Sequence, residues 1–325
     1  MKKKIALILG VTGQDGSFLA KFLIEKNYIV HGLVRKSATG NLKNIEKLLD
    51  NKYFIIHHGD LLDTPSIIKA IKSTKPHEIY NFADQDHVKW STELPQYSFM
   101  VTGAAVVNLL EIIREYSIKS KFFQPISSNI FGQSKKLKQN EEDRFNPLSI
   151  YALGKVTAYY ACKMYSQVYG VKARGAIFYN HESEIRPEEY VSRKITKSVS
   201  KIYHGKQKKL ILGDTSVKID WGYAKDYVKI AHKIMQHKKN DFFIIGSGKQ
   251  TSIIDFVRKS FNCVGLDYKK YLKIDKKLFR KGKTSSLLGD ISKAKKILNY
   301  KVETNINELI SIMMKHDLKL ESKKD

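Results

Sequence analysis

The sequence predicts an α/β protein built on a doubly wound parallel sheet, with a smaller C-terminal lobe. Apolar runs typical of buried strands alternate with helical patterns through roughly residue 180. A glycine-rich turn directly follows the first of these runs. Beyond residue 180 the alternation stops and the elements become shorter. These observations indicate a Rossmann-type sheet over 1–180 plus about 215–240. They assign 181–214 and about 241–325 to the second lobe.

The individual elements follow from periodicity and end signals. The run KIALILG is continuous and apolar and ends at Gly10, as buried parallel strands do. Thr64 and Pro65 open a helix, because proline is favoured in the first helical turn. Further strands are predicted in YIVHGLVRK, YFIIHHGD, EIYNFAD and KFFQPIS, and helices in SFLAKFLIEKN, TPSIIKAIKST, AAVVNLLEIIREYS, residues 225–237 and NELISIMMKHDLKL.

Composition indicates a soluble protein that does not bind nucleic acid. The net charge of +26 comes from lysines spread along the whole chain rather than gathered in one basic helix, which suits an anionic small substrate. Cys162 and Cys263 have neither disulfide nor metal-site spacing, so we expect no metal and a reducing cytoplasm. The N-terminal apolar run is too short for a signal peptide. No stretch approaches the roughly 20 apolar residues of a membrane span.

The segment GVTGQDG carries Gly10, Gly13 and Gly16 between the first strand and the first helix. Glycines in this position let the backbone approach a pyrophosphate at a helix N-terminus. The alternative is a simple tight turn. The placement between strand and helix favours a dinucleotide-binding loop.

The end of the second predicted strand bears on the cofactor. An acidic residue there would hold a ribose 2′-hydroxyl, whereas basic groups accommodate a 2′-phosphate. The strand ends with Arg35, Lys36 and Ser37 and carries no acid. This favours NADP(H) over NAD(H), the alternative being an ordinary basic loop in a lysine-rich protein.

The segment YALGK places Tyr151 and Lys155 four residues apart, on one face of a helix. A nearby ammonium would lower the pKa of the tyrosine and make it a usable acid or base near neutral pH. Ser127 ends a preceding strand, KFFQPIS. Together the three residues predict an active site.

With these motifs in place, the chain resembles the extended short-chain dehydrogenase/reductase family, and specifically its GDP-mannose 4,6-dehydratase branch. The segments that carry the resemblance include TGQDGS, NHES and DWGYAKDYV, and they cover nearly the full length. The resemblance implies NADP(H), a GDP-sugar bound by the C-terminal lobe, and a homodimer or homotetramer. It also implies hydride removal at sugar C4, with Tyr151 as base assisted by Ser127 and Lys155.

The resemblance also implies binding positions. For the cofactor they are Gly10, Gly13, Gln14, Asp15, Gly16, Arg35, Lys36, Ser37, Asp60, Leu61, Asn81, Ala83, Tyr151 and Lys155. For the substrate they are Asp86, Ser128, Asn180, Lys194 and Arg280.

Several positions depart from the family pattern. The family's Thr-Ser-Glu, whose glutamate takes the sugar C5 proton, reads Ser127-Ser128-Asn129 here. An amide cannot accept a proton at neutral pH. The family's Ala-Gln-Ser-His reads Asp84-Gln85-Asp86-His87 here, which introduces two carboxylates near the expected sugar site. Either Asp84 or Asp86 is a candidate replacement base.

The diphosphate contacts also differ. Ile219 stands where the family has an arginine, and Lys283 replaces a glutamate three residues after Arg280. Three functions therefore remain open: a GDP-mannose 4,6-dehydratase-type enzyme acting at C4 of a mannose- or heptose-like sugar, a C4 reductase, dehydrogenase or epimerase without dehydration, and a non-catalytic homologue that holds NADP.

Overall fold

The computed structural model describes residues 3–279 and 287–322. The strands of this part are β1 (Ile5–Leu9), β2 (Ile29–Val34), β3 (Phe54–His58), β4 (Glu78–Asn81), β5 (Lys121–Ser127), β6 (Lys172–Phe178), β7 (Asn180–Glu182), β8 (Leu210–Leu212), β9 (Lys218–Tyr223), β10 (Phe242–Ile245), β11 (Gln250–Ser252) and β12 (Leu272–Ile274). The helices are α1 (Gln14–Glu25), α2 (Thr64–Thr74), α3 (Trp90–Glu93), α4 (Pro95–Phe99), α5 (Ala105–Tyr116), α6 (Ile150–Tyr169), α7 (Val191–Tyr203), α8 (Ala224–Gln236), α9 (Ile253–Asn262), α10 (Ser292–Leu298) and α11 (Ile306–Glu321).

The large sheet has seven strands in the order β10-β6-β5-β4-β1-β2-β3. Every neighbouring pair in it is parallel. The chain runs outward in one direction from β1 to β3 and then returns to β4 on the other side of β1. Ligands bind at such a reversal, where two neighbouring carboxyl ends leave a crevice. The predicted doubly wound sheet is confirmed, and the crevice lies between β1 and β4.

Helix α6 brings the predicted catalytic residues to this end of the sheet. The Ser149 side chain caps its N-terminus by accepting a hydrogen bond from the Ala152 amide. The helix ends at Gly170, whose φ of 71° is a conformation that glycine adopts readily. Tyr151 and Lys155 therefore lie in the first two turns of α6, beside the carboxyl end of β5.

A second hydrophobic core lies under α7, α9 and α11 and the small sheet β11-β9-β7. The buried ion pair between Arg193 on α7 and Asp317 on α11 joins two of these helices at 2.7 Å. Two segments fall outside the predicted domain boundaries. Residues 242–245 form β10 of the large sheet, and residues 218–223 form β9 of the small sheet.

One helical stretch in the described part of the chain, Pro95–Tyr116, is long and apolar enough to cross a membrane. This differs from the expectation that no stretch approaches that length. Its apolar side chains, including Val106, Leu109 and Ile113, belong to the core of the large domain. The stretch is therefore explained as a core helix of a globular protein.

Candidate active site

The glycine-rich loop after β1 is packed against the end of β4. Gly10 has a φ of 76°, and a Cβ there would lie 2.5 Å from the Ala83 nitrogen. A Cβ on Gly16 would lie 2.3 Å from the Gly10 carbonyl oxygen. Gly13 is exposed, has a φ of −73°, and a Cβ there would meet only the Gly10 oxygen at 3.4 Å. The protein's own packing therefore requires glycine at positions 10 and 16 but not at position 13.

The same loop is bonded to the segment that begins the second lobe. Gln14 accepts a hydrogen bond from the Ser183 hydroxyl at 2.6 Å and donates to the His181 carbonyl. The His181 ring lies 2.8 Å from the Asp15 carboxylate. Although burial acts in the opposite direction on each group, this pairing raises the pKa of His181 and lowers the pKa of Asp15. Gln14 and Asp15, predicted to contact the cofactor, thus also tie the loop to β7.

The side chains after β2 are exposed. Arg35, Lys36 and Ser37 all face solvent, and the Arg35 guanidinium donates a hydrogen bond to the Tyr97 hydroxyl at 3.0 Å. Ser37 shares a hydrogen bond with Thr39. The basic side chains of Arg35 and Lys36 are thus accessible to a ligand at the carboxyl end of the sheet.

The other predicted cofactor positions lie at the ends of β3 and β4. The Asp60 carboxylate accepts a hydrogen bond from the Leu62 amide, and Leu61 is buried. Asn81 is buried and donates to Gln124 at 2.8 Å, while its Oδ1 atom has no hydrogen-bond partner. Asn81 immediately precedes the Phe82–Ala83 backbone that contacts the glycine loop. It therefore holds an unused acceptor next to the crevice.

Ser127, Tyr151 and Lys155 come together as predicted. Ser127 ends β5 and is hydrogen-bonded to Tyr151. The Lys155 ammonium lies 5.6 Å from the centre of the Tyr151 ring and donates to the Pro125 carbonyl. The three side chains therefore converge where β5 meets α6.

The protonation of Tyr151 differs from the expectation. Burial raises the pKa of Tyr151 well above its ordinary value, and the negative charges of Asp84 and Asp86 raise it further, against the hydrogen bond from Ser127. The side chain is 6% exposed. Tyr151 is therefore a neutral phenol at physiological pH.

Asp84 is the partner of Lys155. Its carboxylate lies 2.5 Å from the Lys155 ammonium and accepts a hydrogen bond from the Thr102 hydroxyl at 2.6 Å. It also accepts from the Gln85 amide at 2.8 Å. The carboxylate is thus engaged by three donors, and only 13% of the side chain is exposed. The carboxylate is visible in the sequence, but its pairing with the lysine is a contact between distant segments of the chain.

Asn129 lies in the single helical turn Ser128–Phe131 that follows β5. Its side-chain amide donates a hydrogen bond to the Ser127 hydroxyl at 3.2 Å, and its backbone amide does the same. Ser128 is buried and Asn129 is exposed. An amide therefore lies directly beside the serine of the predicted catalytic group.

Asp86 belongs to a separate charged cluster. It lies 3.7 Å from the Arg186 guanidinium, and its negative charge raises the pKa of Tyr190 after the larger effect of burial. Arg186 stacks on the Tyr190 ring at 3.5 Å and is 3.4 Å from the Glu182 carboxylate. Asp86 is 56% exposed, whereas Arg186 is largely buried. Arg186, which sequence reasoning missed, therefore adds a cation beside the predicted sugar position.

The remaining predicted substrate positions lie on the second lobe. Asn180 begins β7 and Lys194 lies on α7, and both side chains are exposed. Ile219 lies in β9 and pairs with Thr251 of β11. Arg280 and Lys283 lie outside the described residues. Within the described ranges, no group of three or more His, Cys, Asp or Glu side chains could hold a metal ion.

The fold and the Ser127–Tyr151–Lys155 group define a protein of the short-chain dehydrogenase/reductase class, in the extended form that carries a second lobe. The family model for GDP-mannose 4,6 dehydratase matches residues 7–313. GDP-mannose 4,6 dehydratase 1 of Arabidopsis thaliana is 38% identical over 98% of this chain and 91% of its own length. The chain therefore belongs to the GDP-mannose 4,6-dehydratase family, whose members are enzymes that modify nucleotide sugars.

Solved structures share the fold at low sequence identity. One is dTDP-glucose 4,6-dehydratase from Bacillus anthracis in complex with NAD, with a TM-score of 0.85 and 18% identity over 98% of each chain. Another is RMD from Pseudomonas aeruginosa complexed with NADPH, with a TM-score of 0.82 and 16% identity, covering 98% of this chain and 100% of its own. Both likenesses support the fold.

Proposed function

We propose that the protein is an NADP-dependent, cytoplasmic enzyme that acts at C4 of a GDP-linked mannose- or heptose-like sugar and works as a homodimer or homotetramer. The observation that carries the proposal is the meeting of Ser127, Tyr151 and Lys155 at the carboxyl end of the sheet. The membership of the chain in the GDP-mannose 4,6-dehydratase family supports the GDP-sugar.

The crevice between β1 and β4 fits a nicotinamide dinucleotide. Gly13 is exposed at the N-terminus of α1, where the protein's own atoms leave room that a pyrophosphate needs. Arg35 and Lys36 are basic groups of the kind that bind a 2′-phosphate. The buried Oδ1 atom of Asn81 has no hydrogen-bond partner and is available to accept a hydrogen bond from the cofactor. Proteins of this fold are known with NADPH and with NAD bound. When bound, the cofactor would exchange a hydride with the sugar.

The contrast between Gly13 and Gly16 gives a direct test of this crevice. Gly13→Ala is expected to keep the free energy of unfolding within about 1 kcal/mol, because its φ suits alanine, and to weaken NADP binding by at least about tenfold. Gly16→Ala should lose about 1–3 kcal/mol of stability, because its Cβ would overlap the Gly10 carbonyl. Thermal unfolding and titration calorimetry with NADP measure both effects. Undiminished NADP binding by Gly13→Ala would contradict this placement of the pyrophosphate.

The chain's own residues supply the proton chemistry. Tyr151 exchanges a proton with the C4 oxygen, and Ser127 bonds to the same oxygen. Elimination of the C6 hydroxyl additionally needs a base at C5. Asn129 occupies the expected position and cannot act as one. Asp84 is engaged by three donors, which leaves Asp86 as the more accessible carboxylate.

Asn129 therefore favours a second candidate, a C4 reductase, dehydrogenase or epimerase that does not complete dehydration. Neither hydride removal nor hydride return at C4 requires the missing glutamate. A non-catalytic homologue is the third candidate. It should be protected against heat by NADP yet give no product from any GDP-sugar.

The deciding experiment incubates the purified protein with GDP-mannose and NADP⁺ and weighs the nucleotide sugar by mass spectrometry. A product lighter by one water establishes the dehydratase and directs attention to Asp86 as base. A change of two hydrogens without water loss establishes a reductase or dehydrogenase, and a product of unchanged mass that chromatography separates from GDP-mannose establishes an epimerase. If none of these appears, 4-keto and heptose GDP-sugars are the next substrates, and failure of all of them contradicts both enzyme proposals.

A further inference from the structure

The pairing of Asp84 with Lys155 changes the charge beside Tyr151. A lone ammonium four residues from a tyrosine stabilises the phenolate. Here the ammonium lies 2.5 Å from a carboxylate that is largely shielded from water, so the pair has no net charge. The carboxylate itself is close enough to Tyr151 to oppose its ionisation. Asp84 thus removes the feature that would make Tyr151 a base.

The geometry shows that Asp84 is fixed in this position. Thr102, in the turn before α5, donates to the same oxygen that the Gln85 amide contacts. The Lys155 ammonium also donates a hydrogen bond to the Pro125 carbonyl of β5 at 3.0 Å. The carboxylate and the ammonium each have an independent anchor, so their contact does not depend on a freely rotating side chain.

We propose that Asp84 is a positioning residue that neutralises Lys155 and keeps Tyr151 protonated, so that the site donates a proton to a carbonyl at C4 rather than taking one from a hydroxyl. The identity of that carbonyl rests on the proposed function. In this direction C4 gains a hydride from the reduced nicotinamide, and its oxygen gains the Tyr151 proton. The ketone becomes a secondary alcohol, and solvent returns a proton to Tyr151. The substrate is then a 4-keto nucleotide sugar, which an oxidising or dehydrating reaction must supply.

The groups that face Tyr151 come from four parts of the fold. Asp84 and Asp86 follow β4, Ser127 ends β5, Lys155 lies on the same helix, and Tyr190 precedes α7. Asp86 is more exposed than Asp84 and is paired with Arg186 rather than with Lys155. The hydrogen bond from Ser127 acts in the other direction and lowers the pKa of Tyr151. Asp84 is therefore the group whose removal should change the ionisation of Tyr151 most.

The test is a spectrophotometric pH titration that needs no substrate. The tyrosinate absorbance of wild type minus that of Tyr151→Phe reports Tyr151 alone. The same difference is taken between Asp84→Asn and the Asp84→Asn, Tyr151→Phe double variant. We expect the Tyr151 step to move at least about one pH unit lower in the Asp84→Asn background. The substitution removes a negative charge near the phenolate, and it leaves the positive charge of Lys155 without its carboxylate partner. An unchanged step would overturn the proposal.

Two controls separate charge from structure. Thr102→Val removes a neutral partner of Asp84 but keeps both charges, so the Tyr151 step should stay where wild type has it. Asp84→Ser is a second charge-removing variant and should shift the step as Asp84→Asn does. If Thr102→Val shifts the step as far as the two charge-removing variants do, packing rather than charge controls Tyr151 and the proposal fails.

Turnover distinguishes the inference from the function on which it rests. With a 4-keto GDP-sugar and NADPH, the alkaline loss of reductase activity should move to lower pH in Asp84→Asn. A shifted titration without turnover of any nucleotide sugar supports the role of Asp84 and contradicts the proposed function. Turnover of a nucleotide sugar with an unshifted titration supports the proposed function and contradicts the role of Asp84.

Discussion

Replacing Tyr151 by phenylalanine is expected to lower turnover at sugar C4 by about a hundredfold to ten-thousandfold, the usual contribution of a positioned acid or base. The phenol is buried, hydrogen-bonded to Ser127, and lies where β5 meets α6. Phenylalanine fills the same volume, so the fold should be kept. Single-turnover assays with cofactor and nucleotide sugar measure the loss separately from product release.

Tyr159→Phe is the matched control. Tyr159 is also a buried tyrosine of α6, and its ring packs against Phe242 of β10, away from Ser127. This variant should retain wild-type turnover. If Tyr151→Phe is as active as Tyr159→Phe, Tyr151 is not the acid or base that acts at sugar C4.

Asn129→Glu is expected to create or raise loss of water from a 4-keto GDP-hexose by at least about a hundredfold, because it restores a carboxylate base beside Ser127. Asn129 is exposed in the turn after β5, so the new carboxylate remains solvated and should not cost stability. The product, lighter by one water, is measured by mass spectrometry against time.

The control for this variant is Asn129→Gln, which adds the same length without a group that accepts a proton. It should show no gain. If both variants stay at the wild-type level, the surrounding changes, including Asp84 and Asp86, prevent elimination independently of the base.

The large sheet could be predicted because its strands carry strong local signals. Lys121–Ser127 is a strand in the structure with the bounds that the sequence predicts, and Thr64–Thr74 is a helix with its predicted start. The small sheet could not be predicted, because Asn180–Glu182 and Gln250–Ser252 are too short to show a period. Phe242–Ile245 was assigned to the wrong lobe, since its pairing with β6 is a contact between distant parts of the chain.

Within the site, local spacing sufficed for Tyr151 and Lys155, because both lie on one helix. The partner of Lys155 follows a different element, and no spacing rule joins Asp84 to it. The raised pKa of Tyr151 was missed for the same reason, since the prediction counted the ammonium but not its carboxylate. Arg186 lies in a segment without regular structure and carries no motif that could have indicated it.

The hydrogen bonds that Ser183 donates to Gln14 and that the His181 ring donates to Asp15 have a consequence for ligand affinity. They join the loop that is proposed to bind the pyrophosphate to the strand β7 of the small sheet. A ligand that orders one side therefore reduces the entropic cost of ordering the other. Binding of the dinucleotide and of the nucleotide sugar should then be heterotropically cooperative, and each should raise the equilibrium affinity for the other by the same factor.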